Sequence, residues 1–191
     1  MVPSLSNLAR ARQRLLFARG FLANPRGVGS VIPSSPRLVG RLLGGLDWSQ
    51  VRHVVEFGPG TGVVTRALLA RLGPDARVTA FEINPEFAAY LARDIADPRL
   101  TVVPASAETL ASHVEPGVDV AVSSLPFSIM PRHVRTGILT ATLEVLAPGA
   151  PFVGYQYSTA WLKELRRFFP DLSVRFEPRN WPPAFVFTAH R

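Results

Sequence analysis

The chain has 191 residues, of which 47% are hydrophobic and 18% are charged, and it contains no cysteine. This length and composition predict one folded domain with a sizeable core, and they exclude a disordered chain, a disulfide framework and a thiolate metal site. The formal net charge is +7, and the excess lies at the start of the chain, where seven arginines precede the first acidic residue, Asp47. Such a segment favours an anionic partner, either nucleic acid or a lipid surface.

The four histidines are scattered and show no metal-ligand spacing, so we predict no metal site. No apolar run approaches the roughly 20 residues that a bilayer-spanning helix needs. The first residues lack the continuous apolar core of a signal peptide. We therefore expect a cytoplasmic protein.

Residues 4–23 are predicted to form a basic helix, in which Leu8, Leu15 and Leu22 recur every seven residues. A basic helix of this kind is typical of an anionic membrane interface. The alternative is a helix that packs on the domain with its arginines in water. Residues 24–36 are rich in glycine, proline and serine and predict a loop over the ligand site, followed by a short helix over 37–46. We expect this N-terminal helix and loop, 1–46, to precede a single folded domain over 47–191.

A strand, a glycine turn and a helix start are predicted over residues 51–66. The β-branched run 51–57 is typical of a central parallel strand. Gly58, Gly60 and Gly62 permit a tight turn and close approach of a ligand, and we expect Thr61 to cap the helix that follows. Glu56 would repel a pyrophosphate on this turn but would suit a cationic ligand. The glycines alternate, and a carboxylate stands two residues before the first of them, so this turn differs from the dinucleotide-binding pattern G-x-G-x-x-G.

Strands and helices alternate through the rest of the chain. Strands are predicted near 77–82, 100–103, 118–123 and 151–157, and helices near 61–72, 85–96, 107–113, 132–146 and 159–169. Two last extended runs, 172–176 and 184–189, predict an antiparallel pair at the edge. The pattern indicates an α/β fold with a mostly parallel seven-stranded sheet and helices on both faces.

In such a sheet the ligand lies beyond the carboxyl ends of the strands. Glu82 ends the second strand and is placed to bind ribose hydroxyls, and Ile83 to stack on a base. Ser106 or Ala107, after the third strand, would lie near the edge of that base. Ser123 to Phe127 follow the fourth strand.

The turn Glu56-Phe57-Gly58-Pro59-Gly60-Thr61-Gly62 resembles motif I of the class I S-adenosylmethionine-dependent methyltransferases. The resemblance implies a Rossmann-like fold with S-adenosyl-L-methionine as cofactor. The loop 124–127 also resembles the N-L/I-P-F/Y loop of the ribosomal RNA adenine dimethyltransferases, although Ser124 replaces the asparagine that holds the adenine amino group in that family. Those enzymes carry a C-terminal RNA-binding domain, which we do not expect here.

A broader resemblance covers nearly the whole chain and points to the bacterial phospholipid N-methyltransferases of the soluble, membrane-associating type. It is carried by residues 21–22, 24–25, 28–29, 33–35, 56–62, 64–65, 85–87, 124–126 and, most specifically, Arg179-Asn180-Trp181-Pro182-Pro183-Ala184. Ala105, Ser106 and Ser124 depart from that family's pattern. The resemblance implies methylation of phosphatidylethanolamine, through mono- and dimethyl forms, toward phosphatidylcholine at the membrane surface.

On this interpretation the candidate residues fall into three groups. Phe127, Tyr155 and Tyr157 are catalytic candidates, as aromatic faces around a methylated ammonium, although each is also a candidate for packing. Substrate-binding candidates are Ser124, Pro126, Asn180 and Trp181. The cofactor-binding candidates are Pro33, Ser34, Ser35, Glu56, Gly58, Pro59, Gly60, Thr61, Gly62, Glu82, Ile83, Ser106, Ala107, Ser123 and Leu125.

The expected partners are an anionic membrane surface, bound through the arginine-rich N-terminal helix, and a phospholipid substrate. We expect no nucleic acid partner, a monomer, and peripheral association with the inner face of the cell membrane. Two alternatives stay open at this point. One is an RNA or small-molecule methyltransferase, and the other is a binding module that keeps the cofactor pocket without turnover.

Overall fold

A computed structural model describes residues 35–191. The predicted helix over 4–23, most of the loop over 24–36 and the candidates Pro33 and Ser34 lie outside the described residues. The strands are β1 (His53–Phe57), β2 (Arg77–Phe81), β3 (Leu100–Val103), β4 (Val120–Ser123), β5 (Pro151–Gln156), β6 (Asp171–Glu177) and β7 (Ala184–His190). The α-helices are α1 (Pro36–Leu43), α2 (Val63–Leu69), α3 (Pro85–Asp94), α4 (Arg132–Val145) and α5 (Leu162–Phe168), with 3₁₀ helices at Ala107–Ser112 and Phe127–Ile129.

The seven strands form one sheet in the order β3-β2-β1-β4-β5-β7-β6. Strands β1 to β5 pair in parallel, whereas β7 runs antiparallel to both β5 and β6. The predicted α/β class, the parallel pairing and the antiparallel pair at one edge are confirmed. The strand order reverses between β1 and β4, and ligands of open α/β sheets bind beyond the carboxyl ends of the strands at such a point.

The centre of the sheet is apolar because its strands are covered on both faces. All five residues of β1 and all four of β4 are buried, which matches the continuous β-branched runs in the sequence. Phe57 packs edge-to-face on Phe81 and on Phe152, with ring centroids 6.3 and 6.2 Å apart. The buried centre gives the residues that follow β1 and β4 a rigid support.

Helix α1 packs on the same sheet. Ser35 caps it, because its Oγ accepts a hydrogen bond from Leu38 N at 3.2 Å, and Pro36 occupies the first position, where no N–H is needed. Its buried face joins the core that also contains Tyr155 and Val186. The described residues 35–191 fall within one compact unit. Residues 36–43, which we predicted as part of the N-terminal helix and loop, therefore pack on the sheet of the folded domain.

Within residues 35–191, no helix combines the length and the apolarity that crossing a membrane requires.

Candidate active site

The glycine turn joins β1 to α2 at the point where the strand order reverses. Gly60 has a φ of +54°, and a Cβ at this position would meet no atom within 4 Å. A Cβ at Gly62 would lie 2.6 Å from Leu91 Cδ2, and one at Gly58 would lie 2.8 Å from Leu125 Cδ2. Gly62 and Gly58 are therefore needed for packing, whereas Gly60 leaves open space in which a ligand can approach the backbone.

The helix after this turn begins differently from the prediction. Gly62 occupies the N-cap position of α2, and no side chain caps the helix. The expectation that Thr61 caps α2 is wrong. The helix begins at Val63, so Gly62 occupies the N-cap position and Thr61 lies one residue before it. The N–H groups at the start of α2 therefore lack a side-chain partner from the cap residue, as a polar ligand at this turn would require.

Glu56 lies just before the turn and is completely buried. Neither of its carboxyl oxygens has a hydrogen-bond partner among the described residues. Burial, opposed in part by the Thr65 hydroxyl and reinforced by the Glu82 charge, raises the pKa of Glu56 to about 8. A buried carboxyl without a partner is costly, so the site suits a cationic ligand group that would pair with Glu56.

Glu82 follows β2 and closes the other side of the turn. Its carboxylate accepts hydrogen bonds from Gly60 N at 3.2 Å and from Asn84 N at 2.9 Å. Burial raises the pKa of Glu82, and these backbone N–H donors oppose that shift. Two carboxyl groups from neighbouring strands thus flank one glycine turn.

The residues that follow β2 and β3 form the rim. Ile83 is 41% exposed, and Asn84 caps α3 by accepting a hydrogen bond from Glu86 N at 2.8 Å. Ser106 Oγ accepts from Glu108 N at 3.3 Å and so caps the 3₁₀ helix, while Ala107 is buried. The structure places these candidates at the carboxyl edge of the sheet, as predicted from strand order, and their contacts with a cofactor remain predictions.

The loop after β4 is held to the sheet by a residue that sequence reasoning missed. Gln156, at the end of β5, is buried and donates from Nε2 to the Leu125 carbonyl oxygen at 2.7 Å. Its Oε1 accepts from Ser128 N at 3.3 Å. Ser124 N donates to the Phe57 carbonyl oxygen at 2.9 Å, and Ser123 Oγ accepts from Leu125 N at 3.1 Å. Ser123, Ser124, Leu125 and Pro126 therefore lie in a fixed loop beside the glycine turn.

The aromatic candidates occupy different environments. Phe127 is completely buried, and its ring stacks on Trp161 with centroids 4.6 Å apart. One face of the Phe127 ring is thus covered, and this geometry supports a packing role instead of the predicted contact with a substrate ammonium. Tyr155 and Tyr157 contact each other edge-to-face at 5.8 Å, at the end of β5. Their catalytic role remains a prediction.

Asn180 and Trp181 lie in the loop between β6 and β7, at the same edge of the sheet. Asn180 is buried, and its Oδ1 accepts a hydrogen bond from Ser35 Oγ at 2.8 Å. Its Nδ2 donates to the Pro182 carbonyl oxygen at 2.7 Å. Trp181, by contrast, is 82% exposed. The Arg-Asn-Trp-Pro-Pro-Ala segment is therefore tied to the start of α1, and its tryptophan is left at the surface.

The residues present fit the cofactor that motif I implies. Glu56 offers an unpartnered buried carboxyl for the positively charged amino acid portion of S-adenosylmethionine, Gly60 offers space, and Glu82 stands where ribose hydroxyls are bound in related βαβ units. Bound there, the cofactor would supply a methyl group on a sulfonium, which is already activated for transfer. Within the described part of the chain, no group of three or more His, Asp or Glu side chains could hold a metal ion.

The sequence is similar to those of known proteins, over different shares of their lengths. A family model described as "Methyltransferase domain" matches residues 54–149. Ornithine lipid N-methyltransferase of Singulisphaera acidiphila is 33% identical over 179 residues, which cover 90% of this chain and 93% of that protein. A probable ribosomal RNA small subunit methyltransferase A of Methanospirillum hungatei is 36% identical over 100 residues, which cover 50% of this chain and 36% of that protein.

Among solved structures, precorrin-6y C5,15-methyltransferase from Geobacter metallireducens has the same fold. The TM-score is 0.69 at 16% identity, and the match covers 85% of this chain and 93% of that one.

The parallel sheet, the glycine turn and the two carboxyl groups beside it define a Rossmann-like methyltransferase of class I. The chain belongs to the S-adenosylmethionine-dependent methyltransferase family, and S-adenosylmethionine is its cofactor.

Proposed function

We propose that the chain transfers methyl groups from S-adenosylmethionine to the amine nitrogen of a membrane lipid. The observation that carries the proposal is the end-to-end similarity to an ornithine lipid N-methyltransferase, which covers 90% of this chain and 93% of the relative. The ribosomal RNA methyltransferase A relative supports an RNA substrate less well, since only 36% of its length is matched.

The specific acceptor in this proposal is phosphatidylethanolamine, methylated through mono- and dimethyl forms toward phosphatidylcholine. The motifs that resemble the phospholipid N-methyltransferases support it. Two of these motifs contact each other in the structure. Ser35, in the segment 33–35, donates a hydrogen bond to Asn180, in the segment 179–184. Ornithine lipid is the competing acceptor, on account of the relative's activity.

The chain's own residues would bind the cofactor, orient the acceptor amine and exclude water from the site. Glu56 and the N–H groups at the start of α2 would hold the cofactor, and the loop fixed by Gln156 would hold the acceptor amine beside it. Methyl transfer from a sulfonium requires mainly alignment of the nucleophile and a dry site, and no covalent nucleophile is needed.

We also propose that the protein reaches its substrate as a monomer bound peripherally to the inner face of the cell membrane. The support is the charge of residues 1–34, which contain five arginines and no acidic residue. A basic segment of this kind is attracted to anionic lipid. No nucleic acid partner is part of this proposal.

The test is mass spectrometry of lipids after incubation of the full chain with S-adenosylmethionine and vesicles of phosphatidylethanolamine and phosphatidylglycerol. Mass gains of one, two or three methyl groups on phosphatidylethanolamine are expected. A parallel reaction contains ornithine lipid, and a third contains ribosomal RNA. Methylation of ornithine lipid alone would replace the acceptor but keep the lipid class, and methylation of RNA alone would overturn both. Cofactor binding without transfer to any of the three would favour a non-catalytic module.

A further inference from the structure

A cleft lined mainly by arginine lies between α1 and the edge strand β6, away from the glycine turn. Its volume is about 380 Å³, and its lining residues are Arg37, Gly40, Arg41, Gly44, Arg175, Glu177 and Arg179. Arg37 and Arg41 share one face of α1 because they are four residues apart, and Arg175 and Glu177 share one face of β6 because they are two apart. The fold thus brings together arginines that are far apart in the sequence.

The charges in this cleft are not balanced by the protein. Glu177 is buried and accepts from Arg41 Nε at 3.3 Å and from Arg179 N at 3.0 Å, so its charge is used by Arg41. Within residues 35–191, neither Arg37, Arg175 nor Arg179 forms an ion pair with a carboxylate. Residues 1–34 contain no Asp or Glu that could pair with them. Three exposed guanidinium groups therefore remain for an anionic ligand.

We propose that this cleft binds the phosphate group of a membrane lipid, at a position separate from the methyl-transfer site. Arginine suits the task because its planar donor fork matches the oxygens of a phosphate. Strand β6 lies three strand positions from β4, which is about 14 Å at the usual spacing. The lipid held here would therefore differ from the one that is methylated.

The surroundings of the cleft favour a lipid over free phosphate as the bearer of that group. Trp181 is 82% exposed and lies two residues after Arg179, which lines the cleft. An exposed indole beside basic side chains is typical of the level of lipid headgroups. The segment 1–34 is a poor occupant by charge, because every charged side chain in it is an arginine.

This inference rests on the proposed function only in choosing a lipid as the bearer of the phosphate. Its test measures binding, on vesicles without phosphatidylethanolamine and in the absence of S-adenosylmethionine. Methyl transfer by the unmodified protein is measured separately, so a failure of either proposal can be told from a failure of the other.

The experiment compares two double variants of the full chain by flotation with vesicles of phosphatidylcholine and phosphatidylglycerol. One is Arg175→Glu with Arg179→Glu. The control is Arg71→Glu with Arg93→Glu, which makes the same change in net charge at exposed arginines on α2–β2 and α3 surfaces. We expect the first variant to bind the vesicles on the order of tenfold more weakly than the control. Equal binding by the two would overturn the proposal, because net charge alone would then explain the affinity.

Two further arms identify the bearer of the phosphate. Inorganic phosphate at millimolar concentration is expected to leave most of the protein on the vesicles, and its release of the protein would indicate a free-phosphate site. A single-stranded RNA oligonucleotide is expected to bind both double variants alike. Loss of RNA binding confined to Arg175→Glu with Arg179→Glu would indicate a nucleic acid surface and would overturn the lipid assignment. The variant Arg175→Lys with Arg179→Lys keeps the charge but loses the planar donor fork, so it is expected to bind the vesicles more tightly than the Glu variant and more weakly than the unmodified protein.

Discussion

Gln156 reaches from the end of β5 to the Leu125 carbonyl oxygen, 2.7 Å from its Nε2, and so fixes the loop that follows the neighbouring strand β4. The same side chain accepts a hydrogen bond from Ser128 N. Both ends of the Gln156 amide are thus hydrogen-bonded to one loop. Because Gln156 is buried, water does not compete for these bonds. One side chain from another strand thus contributes two of the hydrogen bonds that hold this loop.

We predict that Gln156→Leu lowers kcat by about tenfold to a hundredfold, because small displacements of a positioning loop are costly in transfer reactions. The affinity for S-adenosylmethionine should change little, since Gln156 contacts the loop and not the glycine turn. Steady-state kinetics and calorimetry measure the two effects. Ser128→Ala is the control, as it removes a 3.4 Å hydroxyl contact and leaves the backbone bond intact. An unchanged kcat in Gln156→Leu would contradict the positioning role.

Gly60→Arg is expected to abolish cofactor binding, because its side chain would fill the open space at the turn. Gly149→Arg is the matched control. Gly149 also has a positive φ, of +75°, and no atom within 4 Å of a Cβ, but it lies just before β5, at the opposite edge of the sheet. Both changes should cost about 1–2 kcal/mol of stability through backbone strain. Calorimetry that finds equal affinities for S-adenosylmethionine in the two variants would refute the assignment of the turn.

The contribution of Glu56 to the stability of the cofactor-free protein should fall as the pH rises from 4.5 to 8. Burial lowers the pKa of His53 from 6.5 to about 4 and so has the opposite effect below pH 6.5. The net fall is therefore expected between pH 6.5 and 8. Burial raises the pKa of Glu56 from 4.5 to about 8, so in this range the folded protein holds a proton that the unfolded chain has lost. The slope from this group is at most about 1.4 kcal/mol per pH unit, and it disappears above the folded-state pKa. Urea unfolding at several pH values measures it.

The variant Glu56→Gln isolates the contribution of Glu56 to the pH dependence of stability, because the other titrating groups, such as Glu82, are unchanged in it. The variant should be more stable than the unmodified protein at pH 8 and should show a smaller slope. It should also bind the cationic cofactor more weakly. A slope equal to that of the unmodified protein would mean that Glu56 is ionised in the folded state at neutral pH.

The hydrogen bond between Ser35 and Asn180 is expected to stabilise the unit that contains α1. Asn180→Ala leaves the Ser35 hydroxyl without its acceptor and the Pro182 carbonyl oxygen without its donor. The free energy of unfolding should fall by about 1–3 kcal/mol, measured in urea. Ser49→Ala, which removes an exposed contact to Asp47, should change it by less than about 0.5 kcal/mol. Equal losses of unfolding free energy in the two variants would show that the buried Ser35–Asn180 hydrogen bond stabilises the protein no more than an exposed one.

The basic N-terminal segment should matter on membranes and not in detergent. Changing Arg10, Arg12 and Arg14 together to Glu is expected to lower methyl transfer on anionic vesicles strongly, because each positive charge near such a surface contributes about 1 kcal/mol. On detergent-dispersed lipid the same variant should keep most of its activity. Equal losses in the two assays would indicate a structural role for the segment.

The fold was predictable from the sequence because its signals are local. Buried runs such as 53–57 and glycines at alternate positions specify a strand and a turn within a few residues, and proline and glycine mark the helix ends. A local error concerned Thr61, since Gly62 and not Thr61 occupies the N-cap position of α2.

The candidate site was predictable only in part, because several of its contacts join distant segments. A glutamine at a strand end carries no sign that it will hold a loop 31 residues away. Phe127 follows a proline in a loop, and nothing nearby announces that Trp161 will cover its ring. The arginines of the cleft between α1 and β6 were visible in the sequence, but their meeting depends on how α1 packs on the sheet.

The three tryptophans of the chain occupy three different surroundings, and each can serve as a spectroscopic reporter. Trp161 stacks on the Phe127 ring, so its fluorescence would respond to movement of the loop after β4. Trp181 is largely in solvent and would respond to burial at that surface. Trp48 donates to the Leu43 carbonyl oxygen at 3.0 Å and would follow the end of α1. Single-tryptophan variants would therefore let loop motion, surface contact and helix docking be recorded separately, without an attached dye.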